Sequence, residues 1–286
     1  IYSQKQFVLQ SLNPVAYSTY YQGSNPYGKI LAAYNTNQTD PLFQVTGDVL
    51  QYDAKGHATE MKQLGQNIYN AMFWDGLTGN MMANVTNARL KDIGFTSFES
   101  NISGMSYTGT ELITNGGFTY KQAGITTAAS ISGKAAYKLS NAGWNNQIIS
   151  PALTSGTEYI ITFWCKDFAP TIKDASGQNI SYTQVYISNN SNWINFKAKF
   201  TASAAGSLLI TNPSTTIPVL YIDEIRLFPS DANMSNWVYT PLFGASSSTD
   251  PTGRITYYEY DSFGRMFVTK DQEGNIISKK QYHIGQ

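Results

Sequence analysis

Charge is scarce in this sequence. Lys, Arg, Asp and Glu make up only 13% of the 286 residues, and the 19 basic and 19 acidic side chains cancel. No basic field exists to hold nucleic acid or an acidic membrane surface. Cysteine is nearly absent too. Cys165 is alone, which excludes an intrachain disulfide and a thiolate metal cluster; with no cationic neighbour except Lys166, it reads as buried and inert. The only histidines are His57, beside a turn glycine, and His283, near the end. Both read as exposed turn or tail residues and leave little material for a Ser-His-Asp or Cys-His site. No run approaches the roughly 18 to 20 apolar residues of a membrane helix. The opening IYSQKQF lacks the basic and apolar regions of a signal peptide, which is compatible with a mature product or an internal fragment.

Aromatic residues, by contrast, reach 14%, with 20 Tyr and 14 Phe among many Asn, Ser, Thr and Gly. That is the make-up of strands and polar turns, and it predicts an all-β fold. Asp-x-x-Gly followed by a polar residue recurs as DAKGH (Asp53, Gly56), DPTGR (Asp250, Gly253), DSFGR (Asp261, Gly264) and DQEGN (Asp271, Gly274). Asp can bond the backbone ahead of it, Pro251 presets a type I turn, and Gly can take the left-handed conformation that returns the chain to its ladder. Between the last three turns lie RITYYEY and RMFVTK, with NIISKKQY following, all of strand length and partly alternating. Antiparallel hairpins are expected there, and VLQYDAKGHATEMK has the same strand, turn and strand order.

Between about Ile93 and Pro229 the pattern changes to short strands separated by Gly, Ser and Asn clusters, which suggests a β-sandwich. EYIITFWCK and LYIDEIRLFP are the most apolar and are placed centrally. In WINFKAKF the alternation buries Ile194, Phe196, Ala198 and Phe200 and leaves Trp193 near the strand start, outside the middle of the core. The expected organisation is a β-rich segment over 1–92, a sandwich over 93–230 and hairpins over 231–286. The two ends of the chain would meet in one sheet, with the sandwich inserted between them.

The Tyr-Asp steps (Tyr52–Asp53, Tyr260–Asp261) and the Asp-x-x-Gly-Arg units resemble the YD repeats of the RHS family, above all its large cell-surface proteins in Bacteroidetes. The order QYDAKGHATEMKQLG, YNAMFWDGLTGNMMANVTNAR, TSFE (Thr96–Glu99), sandwich, and the closing segment from YIDEIRLFP onward is similar to theirs from about Val49 to the end. The middle segment resembles galactose-binding-like jelly-roll modules, often used as carbohydrate-binding modules, in LITNGGF (Leu112–Phe118), SGKAAYKLS, GTEYIITFWCK, the Trp193 strand and Tyr221–Glu224. The first resemblance implies a structural or interaction region of a secreted or surface protein. Its partners would be upstream repeats or another surface protein, and it would be associated with the outer membrane or the type IX secretion machinery. The second implies a structural calcium held by Asp223, by a residue after the Asn-Gly-Gly-Phe opening and by backbone carbonyls near the Ser-Gly-Lys turn. The positions concerned are Gly117, Thr119 and Lys134, and Thr119 stands where an acid is usual, which removes one ligand from an ion that wants several oxygens.

Enzymatic chemistry has little support. A glycosidase needs two facing carboxylates at a defined separation. Glu99, Glu111, Asp223 and Glu224 are the only acids near a plausible cleft, and Asp223 and Glu224, adjacent on a strand, are expected on opposite faces. GLTGN lacks the P-loop lysine. A glycan platform is the alternative. Trp144 in NAGWNNQ is either a loop anchor or a stacking face with amide neighbours, and Tyr137 and Tyr182 would join it. Trp164 reads as core or half-buried packing, and Trp74 and Trp237 as welds between repeat strands and sandwich.

Overall fold

The computed structural model describes residues 4–9, 43–99, 111–142, 146–166, 168–188, 192–214, 216–240 and 243–282. The chain forms two compact units, Ile1–Tyr69 and Asn70–Gln286. The division falls inside the expected 1–92 segment and assigns its later strands to the unit that contains the sandwich.

In the first unit, β1 (Gln4–Leu9), β2 (Phe43–Tyr52) and β3 (Ala58–Gln63) are antiparallel neighbours. The β2–β3 turn is the DAKGH step. Asp53 Oδ1 accepts the backbone N–H groups of Lys55 and His57, and Gly56 takes φ 88°. His57 is half-buried and not exposed as expected; its Nδ1 lies 2.7 Å from Asp53 Oδ2.

The second unit is also built from antiparallel strands, so the all-β expectation holds. Strands β4 (Tyr69–Trp74) and β5 (Met81–Thr86) precede the sandwich. Strands β18 (Asn233–Thr240), β19 (Gly244–Thr249), β20 (Ile255–Tyr260), β21 (Met266–Lys270) and β22 (Ile276–Lys279) follow it. They lie in one sheet in the order β4-β5-β18-β19-β20-β21-β22. The seam is β5 against β18, with Met234 opposite Val85 and Asn236 opposite Ala83. Strands from the two sides of the sandwich therefore share a ladder.

The sandwich starts at β6 (Gly94–Thr96) and ends with β17 (Val219–Pro229). One layer is a seven-stranded sheet in the order β14 (Thr183–Ile187), β15 (Trp193–Thr201), β12 (Glu158–Lys166), β17, β10 (Ala136–Ser140), β9 (Ile125–Thr126), with β6 on the later half of β17. The other is a five-stranded sheet in the order β13 (Thr171–Lys173), β16 (Gly206–Thr211), β11 (Gln147–Leu153), β8 (Phe118–Lys121), β7 (Leu112–Asn115). Phe118, Tyr120, Tyr137, Ile148, Tyr159, Ile161, Phe163, Leu208 and Ile210 fill the space between the layers without solvent contact. Burial of such side chains is what holds two sheets face to face.

One turn fixes how β7 and β8 meet the rest. Gly116 and Gly117 take φ 54° and 83°, the backbone of a two-residue hairpin turn that favours glycine at both places. A Cβ on Gly116 would lie 1.6 Å from the carbonyl oxygen of Phe95, so only glycine lets β6 come this close.

The outer face of the seven-stranded sheet is covered as well. Trp164, Trp193 and Ala136 are buried together with Ile255 of β20. Strand β15 departs from its expected pattern. Phe196 and Ala198 face the core as expected, but Trp193 and Asn195 on the opposite face are buried too, while Ile194 and Phe200 are only half-buried. Sequence alternation gives one buried face, and the hairpin strands supply the second.

Candidate functional site

The platform expected from the sequence does not assemble. Tyr137 has no solvent exposure and packs against Phe98 and Tyr120, both at 5.3 Å between ring centroids. It is a core residue and cannot stack on a ligand. Tyr182 lies at the core margin with its ring edge-on to Phe163 and Phe196, and its hydroxyl donates to the Pro170 carbonyl at 2.5 Å. Trp144 lies outside the described residues.

The acids near the Ser-Gly-Lys turn do come together, by a device that strand alternation conceals. Glu224 sits in β17 at φ 50°, and the register between β12 and β17 shifts at this point. This is a bulge, which re-aims side chains. Asp223 and Glu224 therefore reach the same turn instead of opposite faces. Asp223 Oδ2 accepts the backbone N–H groups of Ile131 and Ser132 at 3.0 and 3.3 Å, and Glu224 Oε1 accepts the Ser132 hydroxyl at 2.6 Å. Glu99, from the TSFE element, accepts the N–H groups of Lys134 and Ala135, both at 2.6 Å. Burial, aided by mutual repulsion, holds Asp223 well above the usual carboxylate range. Burial also raises Glu224, and it raises Glu99 to about 7 with a smaller contribution from the Glu224 charge.

The residues named for calcium divide. Asp223 and the Lys134 turn meet at this cluster, where Glu224 and Glu99 are the other acids. Thr119 pairs its hydroxyl with Thr114 at 2.9 Å, and Gly117 faces Pro151 and the Ile93 carbonyl. The turn presents amide donors to the carboxylates, whereas calcium needs six to eight oxygen ligands. Among the described residues no group of three or more metal-ligating side chains is arranged to hold an ion, so this arrangement does not fit the cation.

Glu224 has a second role, as a mooring. Its Oε2 accepts Asn236 Nδ2 of β18 at 2.8 Å and the Thr249 hydroxyl of β19 at 3.4 Å. Two residues further along β17, the buried Arg226 donates from Nη2 to the carbonyls of Met234 and Asp250. Burial lowers this guanidinium to about 10, still largely charged at neutral pH. The nearby Glu224 charge favours the charged guanidinium, and buried polar contacts of this kind hold a geometry even where they add little stability. Here they fix the Asp250–Arg254 turn against the outer face of the seven-stranded sheet.

That placement creates a groove of about 590 Å³, within the range of small-molecule sites. Its sandwich side carries Trp164, Val185, Tyr186 and Asn195, and its hairpin side Asp250, Thr252, Arg254 and Gln272. Tyr186 is half-buried and stands edge-on to Trp164, with 6.0 Å between ring centroids. Its hydroxyl donates to Glu273 Oε1 at 2.9 Å, tying β14 to the DQEGN turn. Gln272 Oε1 accepts the Ile255 N–H at 3.0 Å. Asp250, the one acid on the lining, spends Oδ1 on the N–H groups of Thr252 and Arg254 and the Thr252 hydroxyl. Among the described residues no second carboxylate lines the groove. The arrangement offers aromatic surface, amides and a guanidinium, and it lacks a facing acid pair for hydrolysis.

No protein-family model and no curated protein matches the chain. About half of it is similar to solved β-sandwich modules. The xylan-binding CBM22-1 domain of Paenibacillus barcinonensis Xyn10C is 17% identical, with 50% of this chain and 95% of that domain covered and a TM-score of 0.29. The K1 cleaved adhesin domain of Lys-gingipain from Porphyromonas gingivalis is also 17% identical, with 48% and 98% covered and a TM-score of 0.28. A family 22 carbohydrate-binding module of Clostridium thermocellum Xyn10B is 15% identical, with 50% and 97% covered and a TM-score of 0.29.

Proposed function

We propose that this chain is a non-enzymatic binding module that holds a short run of a carbohydrate chain in the groove between sandwich and hairpin sheet. The observation that carries the reading is the lining itself: half-buried Tyr186, backed by the buried Trp164, beside Asn195, Arg254 and Gln272, with a single, internally bonded acid. Sugar rings offer apolar C–H faces and a fringe of hydroxyls, and an amphipathic aromatic such as Tyr186 flanked by amides meets both. Cys165 is buried with its thiol pushed well up, and Asp223, Glu224 and Glu99 are occupied with backbone and hydroxyl donors. Isothermal titration with soluble polysaccharides tests the reading. Binding to at least one, lost in Tyr186→Ala with the fold intact, supports it; absence of binding across a broad glycan array overturns it.

A second reading concerns the setting. The chain would be part of a large secreted or cell-surface RHS-like protein whose sheet continues into further repeats, and the outer membrane or type IX machinery would be its partner. What favours it is the last strand, where Ile276 and Ile277 of β22 are 58% and 60% exposed while Ile255, at the same place after its own turn, is 1% exposed. Strand edges of this kind accept further strands. Native protein recovered alone and monomeric from culture fluid overturns this setting.

A further inference from the structure

The four Asp-x-x-Gly turns at Asp53, Asp250, Asp261 and Asp271 are nearly identical, and the one among them that differs faces the groove. In each, Asp Oδ1 accepts the N–H groups two and four residues ahead. In three of them the side chain after the glycine also returns to Asp Oδ2. His57 bonds Asp53, Arg265 bonds Asp261 at 2.8 Å, and Asn275 bonds Asp271 at 3.0 Å. Arg254, the counterpart in the Asp250 turn, does not. The Arg226 guanidinium already holds this turn from below through the Asp250 carbonyl. Among the described residues the exposed Arg254 side chain has no hydrogen bond or ion pair, and it lines the groove opposite Tyr186 and Asn195.

We propose that Arg254 is the specificity-determining contact of the groove. Its guanidinium donates to ligand hydroxyls while a sugar ring lies against Tyr186, so the choice of glycan is made by the hairpin sheet and not by the sandwich. This rests on the carbohydrate reading of the groove. A guanidinium presents its donors in a rigid planar fork, which suits two neighbouring hydroxyls on one ring. Gln272 is a positioning residue, since its side-chain carbonyl is committed to Ile255. The ligand is a neutral polysaccharide: Asp250 on the lining balances the Arg254 guanidinium, and the Glu273 carboxylate lies just beyond the lining on the Tyr186 hydroxyl, a balance that does not favour an acidic chain.

The matched pair Arg254→Gln and Arg265→Gln tests this by titration calorimetry with neutral polysaccharides (xylan, β-glucan, mannan) and with pectin as the acidic comparison, alongside thermal unfolding. Removing a charged donor to a ligand hydroxyl weakens binding roughly tenfold to a hundredfold. Arg254→Gln should therefore lose at least about tenfold in affinity for the neutral ligand at an unchanged melting temperature, with partial recovery in Arg254→Lys. Arg265→Gln should bind as the wild type and melt earlier, because Arg265 is bonded to Asp261 and stacks on Tyr282 at 4.4 Å. Wild-type affinity in Arg254→Gln, with binding lost in Tyr186→Ala, overturns the proposal and leaves the carbohydrate reading standing. So does a preference for pectin. A wild type that binds none of these removes both.

Discussion

Replacing Glu99 with Gln should make the protein less sensitive to alkali, and the size of the effect follows from its surroundings. Glu99 Oε1 accepts two amide hydrogens at 2.6 Å, and a Gln side-chain oxygen can do the same. The difference is the charge. Burial, then the Glu224 carboxylate, raises Glu99 from 4.5 to about 7. The folded state therefore holds a proton that the unfolded chain releases between these values. Stability is full below about pH 4.5 and falls as pH rises through about 7. At 1.36 kcal/mol per pKa unit the loss approaches roughly 3 kcal/mol, less some relief because Glu99 keeps partial contact with solvent. For a unit of this size that is roughly 5 to 10 °C in melting temperature. Scanning calorimetry from pH 5 to pH 8 in the presence of a chelator should show wild type and Glu99→Gln close together at the acid end. The variant should melt several degrees higher at the alkaline end. Both retain some slope, because Asp223 and Glu224 are raised in the same direction. A variant that is less stable than wild type at pH 8, together with a calcium-induced rise seen only in wild type, rules out a protonated Glu99. The cluster would then be an ionised cation site.

Three further outcomes follow from packing and mooring. Gly116→Ala places a methyl 1.6 Å from the Phe95 carbonyl oxygen at φ 54°, so it should sharply reduce the yield of soluble folded protein, read by gel filtration. Arg226→Met strips the Met234 and Asp250 carbonyls of their charged donor and should cost roughly 1.5–3 kcal/mol in urea unfolding at neutral pH, with a smaller cost at acid pH, where Glu224 no longer gains from the nearby guanidinium. Phe118→Ala in the sandwich core should cost about 3–5 kcal/mol by the same measurement, with no gain from acid.

The sequence is informative where structure is local. Strand composition and Asp-x-x-Gly turns suffice to expect antiparallel β-structure, because each turn is closed by its own aspartate within five residues of chain. The same logic explains why the turn is weak evidence for a repeat. DASGQ at Asp174, inside the sandwich, closes in the same way, with Asp174 Oδ1 accepting the N–H groups of Ser176 and Gln178 at 2.9 Å. What sequence does not reveal is non-local. Alternation puts Asp223 and Glu224 on opposite faces, and a single left-handed residue in β17 brings them together. Tyr137 lies in the polar-looking SGKAAYKLS but faces the centre of the core. The groove joins residues at 164, 186 and 195 to residues at 250, 254 and 272. The one local hint is that Arg254 follows its glycine as Arg265 does, and only the structure distinguishes the bonded arginine from the unbonded one.

A crystal structure with an oligosaccharide that binds in titration shows where the glycan sits. The expected result is a sugar ring against Tyr186, with hydroxyls in hydrogen-bond reach of Arg254 and Asn195 and the Tyr186–Glu273 bond retained. An oligosaccharide seated instead on Trp144 or on the five-stranded sheet, with the groove holding only solvent, contradicts it.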